Sequence, residues 1–265
     1  MRIAFTIILN GLHHLKHNNF GKRMLEMFDY WIIVDGAAGN QGTSAWCKKM
    51  LCRYHNKGDS NDGTLDYLLD LYMSSSNNEK MIITLANGEP WPSKDVMVRS
   101  AVTKASVVAS NAFLWQIDVD EQWTPFQLQR AEDELVEADK DTGMFLCDFY
   151  VGQDILARGD WGEGKVYPYR RLWRWKGQQF ESHIPPKLEG GNGKEVLLSQ
   201  RFKHYAYYFE QDVEFKSNYY TGYNNILKNW KKLQEMPDKD FPLPASFLVN
   251  NRWTRKNTQL IKEKL

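Results

Sequence analysis

The stretch Asn111–Trp123, NAFLWQIDVDEQW, decides how this chain folds. Phe113, Leu114, Trp115 and Ile117 form a short apolar run, the pattern of a buried strand. Asp118, Val119, Asp120 and Glu121 follow at once, so the acids stand where that strand leaves its sheet. Ligands of open α/β sheets bind beyond the carboxyl ends of the strands. Residues two apart on an extended chain point to the same side. Asp118 and Asp120 are therefore a pair of hard oxygen donors, suited to Mg²⁺ or Mn²⁺ with phosphate completing the shell. Taken alone, the same residues fit a solvated acidic turn after a core strand, and the flanking chain has to separate the two.

Upstream, the apolar run Ile3–Leu9 stops at Asn10-Gly11, as a buried strand stops at a turn. Phe20, Met24, Met27 and Phe28 recur at helical spacing. Tyr30–Val34 is a second strand, closed by Asp35-Gly36. Strand, helix, strand implies a right-handed parallel crossover. That crossover puts Asp35 at a strand's carboxyl end, as a base or ribose contact or as the first residue of an Asp-Gly turn. Gln41–Gly58 is expected to be an insertion with one short helix. Asp59–Thr64 is a turn in which Ser60 or Asp62 caps a helix whose stripe is Leu65, Leu68, Leu69 and Tyr72. Met81–Leu85 is a third strand, and Met97, Ala101, Ala105 and Val108 mark the next helix. Lys94 and Arg99 lie early on that helix, as phosphate ligands or as surface charge. Pro125 suits the first turn of the helix after the acidic motif.

The second half changes character. Met144–Val151, Val166–Trp175 and Val196–Tyr208 are strand-like, and Gly159–Gly164 is a glycine-rich loop. One long amphipathic helix is expected over Gln211–Leu233. The basic segment Arg252–Leu265 is expected to be a short helix or a frayed tail. The domain reading is residues 1–235 as one unit, with a nucleotide-sugar half over 1–142 and an acceptor half over 143–235, followed by a helical tail over 236–265. The fold class is α/β: a mostly parallel central sheet flanked by helices, with an antiparallel and helical C-terminal region.

Composition narrows the function classes. A net charge of +1 gives no global attraction to nucleic acid or membrane. Three cysteines, Cys47, Cys52 and Cys147, fit neither zinc nor redox spacing, so free thiols in a reducing, cytoplasmic setting are expected. The N-terminus lacks a signal-peptide pattern, and no run is long enough to span a bilayer.

Four pieces together resemble the GT-A glycosyltransferases, in particular those of the family 2 type. They are the first two strands ending in Asn10-Gly11 and Asp35-Gly36-Ala37; Asp59–Thr64, similar to a S-x-D-G-T turn; Trp91-Pro92-Ser93-Lys94, similar to W-x-x-K; and Asp118-Val119-Asp120-Glu121, similar to D-x-D-E. The resemblance covers roughly residues 1–235. It implies a nucleotide-diphosphate sugar donor, a Mn²⁺ or Mg²⁺ ion, and a glycan or other hydroxyl acceptor. It assigns Asp35, Asp62, Lys94 and Asp118 to the donor, and Asp118, Asp120 and a late histidine, here His204, to the metal. Such enzymes invert the sugar and need a general base. His183 and Glu181, beside the Pro-Pro loop, rank ahead of Asp154 and Asp160. Trp161, Trp173 and Trp175 are candidates to stack on an acceptor sugar, or core residues.

Two other readings remain open in the sequence. A D-x-D phosphatase would want its nucleophile near the start of the chain and a Thr or Val where Gln122 stands. A non-catalytic binding module would use Tyr169–Lys176, whose arginines alternate with Trp173 and Trp175, on a glycan or a single-stranded nucleic acid.

Overall fold

The computed structural model describes residues 1–39, 47–74, 76, 78–184, 186–251, 254, 255 and 257–263. Part of the expected 41–58 insertion and part of the C-terminal tail thus lie outside the described residues. The first strands are β1 (Arg2–Ile8), β2 (Tyr30–Asp35), β3 (Met81–Thr84) and β4 (Ala112–Gln116). They pair in parallel in the order β3-β2-β1-β4. Helices cover both faces, so each strand has to be apolar throughout rather than alternating. Ile3, Phe5, Ile32, Val34 and Leu114 pack under α4 (Lys94–Val108), through Met97, Val98, Ala101, Val102 and Ala105. Ala4, Ile8, Trp31, Ile33 and Trp115 face the other way. They meet α1 (Leu12–Lys16), α2 (Phe20–Met27), α3 (Thr64–Ser74) and α5 (Pro125–Glu137). Local chemistry sets two of these starts: Ser93 caps α4 by accepting from the Val96 amide, and Thr124 with Gln127 forms a capping box ahead of Pro125.

Beyond β4 the sheet continues through antiparallel pairs. After the two-residue strand β5 (Glu121–Gln122) come β6 (Thr142–Tyr150), β7 (Ile155–Gly159) and β8 (Tyr169–Trp175). β8 lies between β4 and β6, antiparallel to both. A separate hairpin joins β9 (Phe180–His183) to β10 (Pro186–Leu188), and β9 packs against α4. β11 (Glu195–His204) pairs in parallel with β6 and, at its end, antiparallel with β5. The first four strands are parallel as expected, whereas the second half is mixed: its pairs are antiparallel except for β11 against β6.

Two expectations are corrected. The region 211–233 is two helices, α6 (Glu210–Tyr219) and α7 (Ile226–Glu235). The chain turns extended at Tyr220 and passes through Gly222 at φ 83°, a conformation that a helix interior does not allow. The tail is not a helix: β12 (Leu243–Pro244) and β13 (Thr258–Lys262) belong to the main sheet. β13 pairs antiparallel with β7 and covers an edge that would otherwise present unpaired backbone. Leu260 is fully buried there, and the 41–58 region contributes a short 3₁₀ turn at Cys52–Tyr54. A chain ended before Thr258 is expected to lose at least about 3 kcal/mol of stability. The urea midpoint would read this, and an unchanged midpoint would mean that the strand adds nothing. Among the described residues no helix is long and apolar enough to cross a membrane.

Candidate functional site

The parallel strands run β1, β2, β3 to one side, and β4 then returns to the other side of β1. This reversal opens a crevice at the carboxyl ends of β1 and β4, the usual ligand position of such sheets. The Thr6 hydroxyl ties the two strands together. It accepts from Trp31 Nε1 at 2.9 Å and donates to the Ile117 carbonyl at 2.7 Å. The turn after β1 lies against the acidic motif. A Cβ on Gly11 would come within 3.2 Å of Val119 Cγ1 and 2.6 Å of Ile8 Cδ1.

At the end of β2, Asp35 is fully buried. Its Oδ1 accepts from the Ser60 hydroxyl at 2.5 Å and its Oδ2 from the Ser60 amide at 2.9 Å. Burial pushes this carboxyl up to about 6, against the pull of the Ser60 bonds. Asp62 serves the chain itself. It accepts from the Thr64 amide and hydroxyl at 2.9 and 2.6 Å and from the Leu12 amide at 3.1 Å. These bonds fix the start of α3 against the turn that begins α1, so Asp62 acts as a brace beside the crevice.

Asp118 and Asp120 follow β4 as expected, but each already has a partner. Asp118 Oδ2 accepts from Arg171 Nη2 at 2.7 Å, and its Oδ1 accepts from Gln116 Nε2 at 3.3 Å. Arg171, buried on β8, also donates through Nε to Glu121 Oε1 at 2.8 Å. Glu121 is buried too, and its Oε2 accepts from Trp123 Nε1 at 3.1 Å. Burial pushes the Glu121 carboxyl up to about 7, with Arg171 opposing. Asp120 Oδ2 lies 3.4 Å from His204 Nε2. Burial opposes its ionisation, but His204, Lys216 and His14 outweigh burial and hold the carboxyl well below the usual range. The His204 ring sits among Phe149, Tyr169 and Phe202, and its Nδ1 is enclosed without a hydrogen-bond partner.

Lys94, at the start of α4, completes the group. Its ammonium lies 5.5 Å over the Tyr219 ring. Burial lowers its pKa, while the charges of Cys47, Asp118 and Asp120 pull it up. One residue on, Asp95 accepts from the His183 amide at 2.8 Å and from His183 Nδ1 at 3.1 Å. His183 Nε2 is enclosed and makes no hydrogen bond. Burial and the neighbouring Lys94 lower the pKa of this imidazole, with Asp95 opposing. The fold therefore brings Lys94, Asp118, Asp120, His204 and His183 within electrostatic reach of one another. It does not bring Glu181 into this group: that side chain is exposed on β9 and pairs with Lys187 at 2.5 Å. Asp154 and Asp160 make contacts near the tail, with Lys262 at 3.6 Å and Asn257 at 3.4 Å.

The basic and aromatic run at Tyr169–Lys176 is largely drawn into the fold, with only Lys176 exposed. Arg171, Trp173 and Trp175 are buried, and Arg170 pairs with Glu195 at 2.7 Å. Trp161 remains half-buried beside Phe149 and Tyr207. Sequence reading missed Arg171 as the partner of both acids and Asp95 as the partner of His183.

Donor chemistry decides how far these residues fit a divalent ion. The Asp118 and Asp120 oxygens suit Mg²⁺ or Mn²⁺. A ligating histidine normally donates its second ring N–H to a partner. His204 has none for Nδ1, and its position fits a residue that orients Asp120 better than a third ligand.

No family model and no curated protein sequence matches the chain. Among solved structures it is similar to S. aureus TarS 1-349, with a TM-score of 0.46 and 10% identity over 86% of this chain and 68% of that one. The same protein in complex with UDP-GlcNAc gives a TM-score of 0.43 and 12% identity, covering 80% of this chain and 63% of that one. A 4-diphosphocytidyl-2C-methyl-D-erythritol synthase gives 0.34 and 12%, covering 65% of this chain and 74% of that one. At these scores the likenesses carry no argument about the site.

Proposed function

We propose that this chain is a GT-A-type, inverting glycosyltransferase that moves a sugar from a nucleotide-diphosphate sugar to a hydroxyl acceptor. The observation that carries the reading is the grouping of Lys94, Asp118 and Asp120 at the switch point of the parallel strands, with Asp35 at the end of β2. Asp35, prepared by Ser60, would accept from the nucleoside. Lys94 would meet the diphosphate as a point charge. Asp118 and Asp120 would hold a Mg²⁺ or Mn²⁺ ion that, when bound, stabilises the departing nucleoside diphosphate. Arg171 and His204 would fix the two carboxylates in place. The acceptor oxygen would form its bond to the anomeric carbon as the bond to the diphosphate breaks on the opposite face.

His183 is the base that this arrangement offers. Asp95 holds Nδ1 as the protonated nitrogen, leaving Nε2 free to take the acceptor's proton. His183→Ala is expected to lower kcat by about 10²–10⁴-fold. A base must be unprotonated to work, so the rate should rise with pH through an acid limb below the ordinary histidine range. Asp95 raises the pKa of His183, so Asp95→Asn should move that limb to still lower pH. A limb that stays in place in both variants would remove His183 from this role.

The proposal as a whole is tested by release of nucleoside diphosphate from a panel of donor sugars with and without an acceptor mixture. Release with one nucleotide class, lost in Asp118→Ala, supports it. Equal turnover in that variant, or hydrolysis of simple phosphomonoesters instead, overturns it.

A further inference from the structure

A second cluster of ligating side chains lies outside the group just described. His13 and His14 are neighbours in α1, directly after β1, and Asp212 lies in the first turn of α6. The two imidazoles converge on the one carboxylate. His13 Nε2 is 3.0 Å from Asp212 Oδ1, and His14 Nε2 is 2.9 Å from Asp212 Oδ2. The three ligand atoms lie within 4.8 Å of one another, and no other group of three or more His, Cys, Asp or Glu residues among the described ones does so. In particular, Asp118, Asp120 and His204 do not.

We infer that His13, His14 and Asp212 form a Zn²⁺ site that clamps α6 to the turn after β1. Two imidazole nitrogens and one carboxylate oxygen are a donor set for zinc and its first-row neighbours, not for Mg²⁺ or Ca²⁺. Zinc bonds of about 2.0–2.1 Å put neighbouring donors roughly 3.3 Å apart in a tetrahedron. The two imidazole–carboxylate contacts, at 3.0 and 2.9 Å, fall a few tenths of an ångström short of that spacing. The side chains are 20%, 4% and 15% exposed for His13, His14 and Asp212, so the set is largely withdrawn from water before any ion arrives. Phe209 stands edge-on to both rings, with centroids 5.0 and 5.1 Å away, and walls the site on one side.

Three protein ligands leave a fourth position open for water or a substrate oxygen. The inference does not rest on the transferase reading.

The test is isothermal titration of Zn²⁺ into the full chain after chelator treatment, with a thermal scan of the same samples. Wild type is expected to bind one equivalent and to melt higher with Zn²⁺ than without it. Millimolar Mg²⁺ should neither raise the melting temperature through this site nor displace the zinc. His13→Ala is the first variant, because His13 is the most exposed of the three and its loss leaves the core intact. Its circular dichroism should match wild type, and its zinc affinity should fall at least about 100-fold. Asp212→Asn should weaken binding in the same way, whereas Asp120→Ala should bind zinc as wild type does. Absence of zinc binding to wild type overturns the site. So does binding that persists undiminished in both His13→Ala and Asp212→Asn, or that disappears in Asp120→Ala.

Discussion

Asp120→Ala is expected to abolish sugar transfer, with kcat/KM at least about 10³-fold below wild type, while the protein stays folded. The side chain follows the carboxyl end of β4, and its ion pair with His204 ties it to the rest of the fold. Loss of that contact leaves one imidazole nitrogen without a partner, at a cost of about 1 kcal/mol. The cost depends on pH, and its sign is fixed by the carboxyl's lowered pKa. A carboxylate stabilised in the folded state contributes above its unfolded pKa and stops contributing as pH falls through the folded one. The melting curves of wild type and Asp120→Ala should therefore differ at neutral pH and converge in acid. Steady-state rates measured beside thermal scans check both halves of this expectation. A variant that keeps its rate would remove the acidic motif from the chemistry, whatever its stability.

Arg171→Met should have the largest effect on stability. Its guanidinium neutralises two carboxylates at once, Asp118 at 2.7 Å and Glu121 at 2.6 Å. Removing one partner of a buried charge group leaves the other uncompensated, at a typical cost of about 3–5 kcal/mol. Glu121 is the more deeply placed of the two acids, and without Arg171 its carboxyl, already pushed up to about 7, should rise further and hold its proton at neutral pH. Adding Glu121→Gln to Arg171→Met should restore part of the loss, because an amide needs no counter-charge. The double-mutant cycle in urea reads this coupling. A single-variant loss below about 1 kcal/mol would show that the buried pair contributes little. The variant should also lower transfer, because Asp118 loses the bond that orients it.

Much of the fold was legible because the parallel strands are apolar on both faces and end in recognisable turns. Asn10-Gly11, Asp35-Gly36 and the Asp118–Glu121 run each close a strand where the structure closes it. The pieces that were not legible depend on partners far along the chain. Thr258–Lys262 carries a basic, mixed composition, and its strand character comes from the open edge of β7, about a hundred residues earlier. The stripe over Gln211–Leu233 is helical on both sides of Gly222, so periodicity ran through a break that only the backbone shows.

The site divides in the same way. Asp35, Lys94, Asp118, Asp120, His183 and His204 were visible as residue types next to strand ends or loops. Their partners were not. Asp95 lies 88 residues from His183, and Arg171 lies 53 from Asp118. The stretch around Arg171 also fitted a basic and aromatic binding surface, because sequence alone does not reveal that two acids await the guanidinium. Glu181 and His183 share one short strand, yet one is exposed and the other is buried against Asp95. The pair His13-His14 is plain in the sequence, but nothing near it announces Asp212.

The central claim is that this crevice binds a nucleotide-diphosphate sugar, and the most direct measurement is a thermal-shift series. UDP-, GDP-, CMP- and dTDP-linked sugars would be added to the protein with and without Mn²⁺, and to Asp118→Ala in parallel. A ligand that binds only the folded chain raises its melting temperature. The account predicts a rise with one nucleotide class that is larger with Mn²⁺ and absent in Asp118→Ala. No rise with any donor, or a rise that Asp118→Ala retains in full, would contradict it.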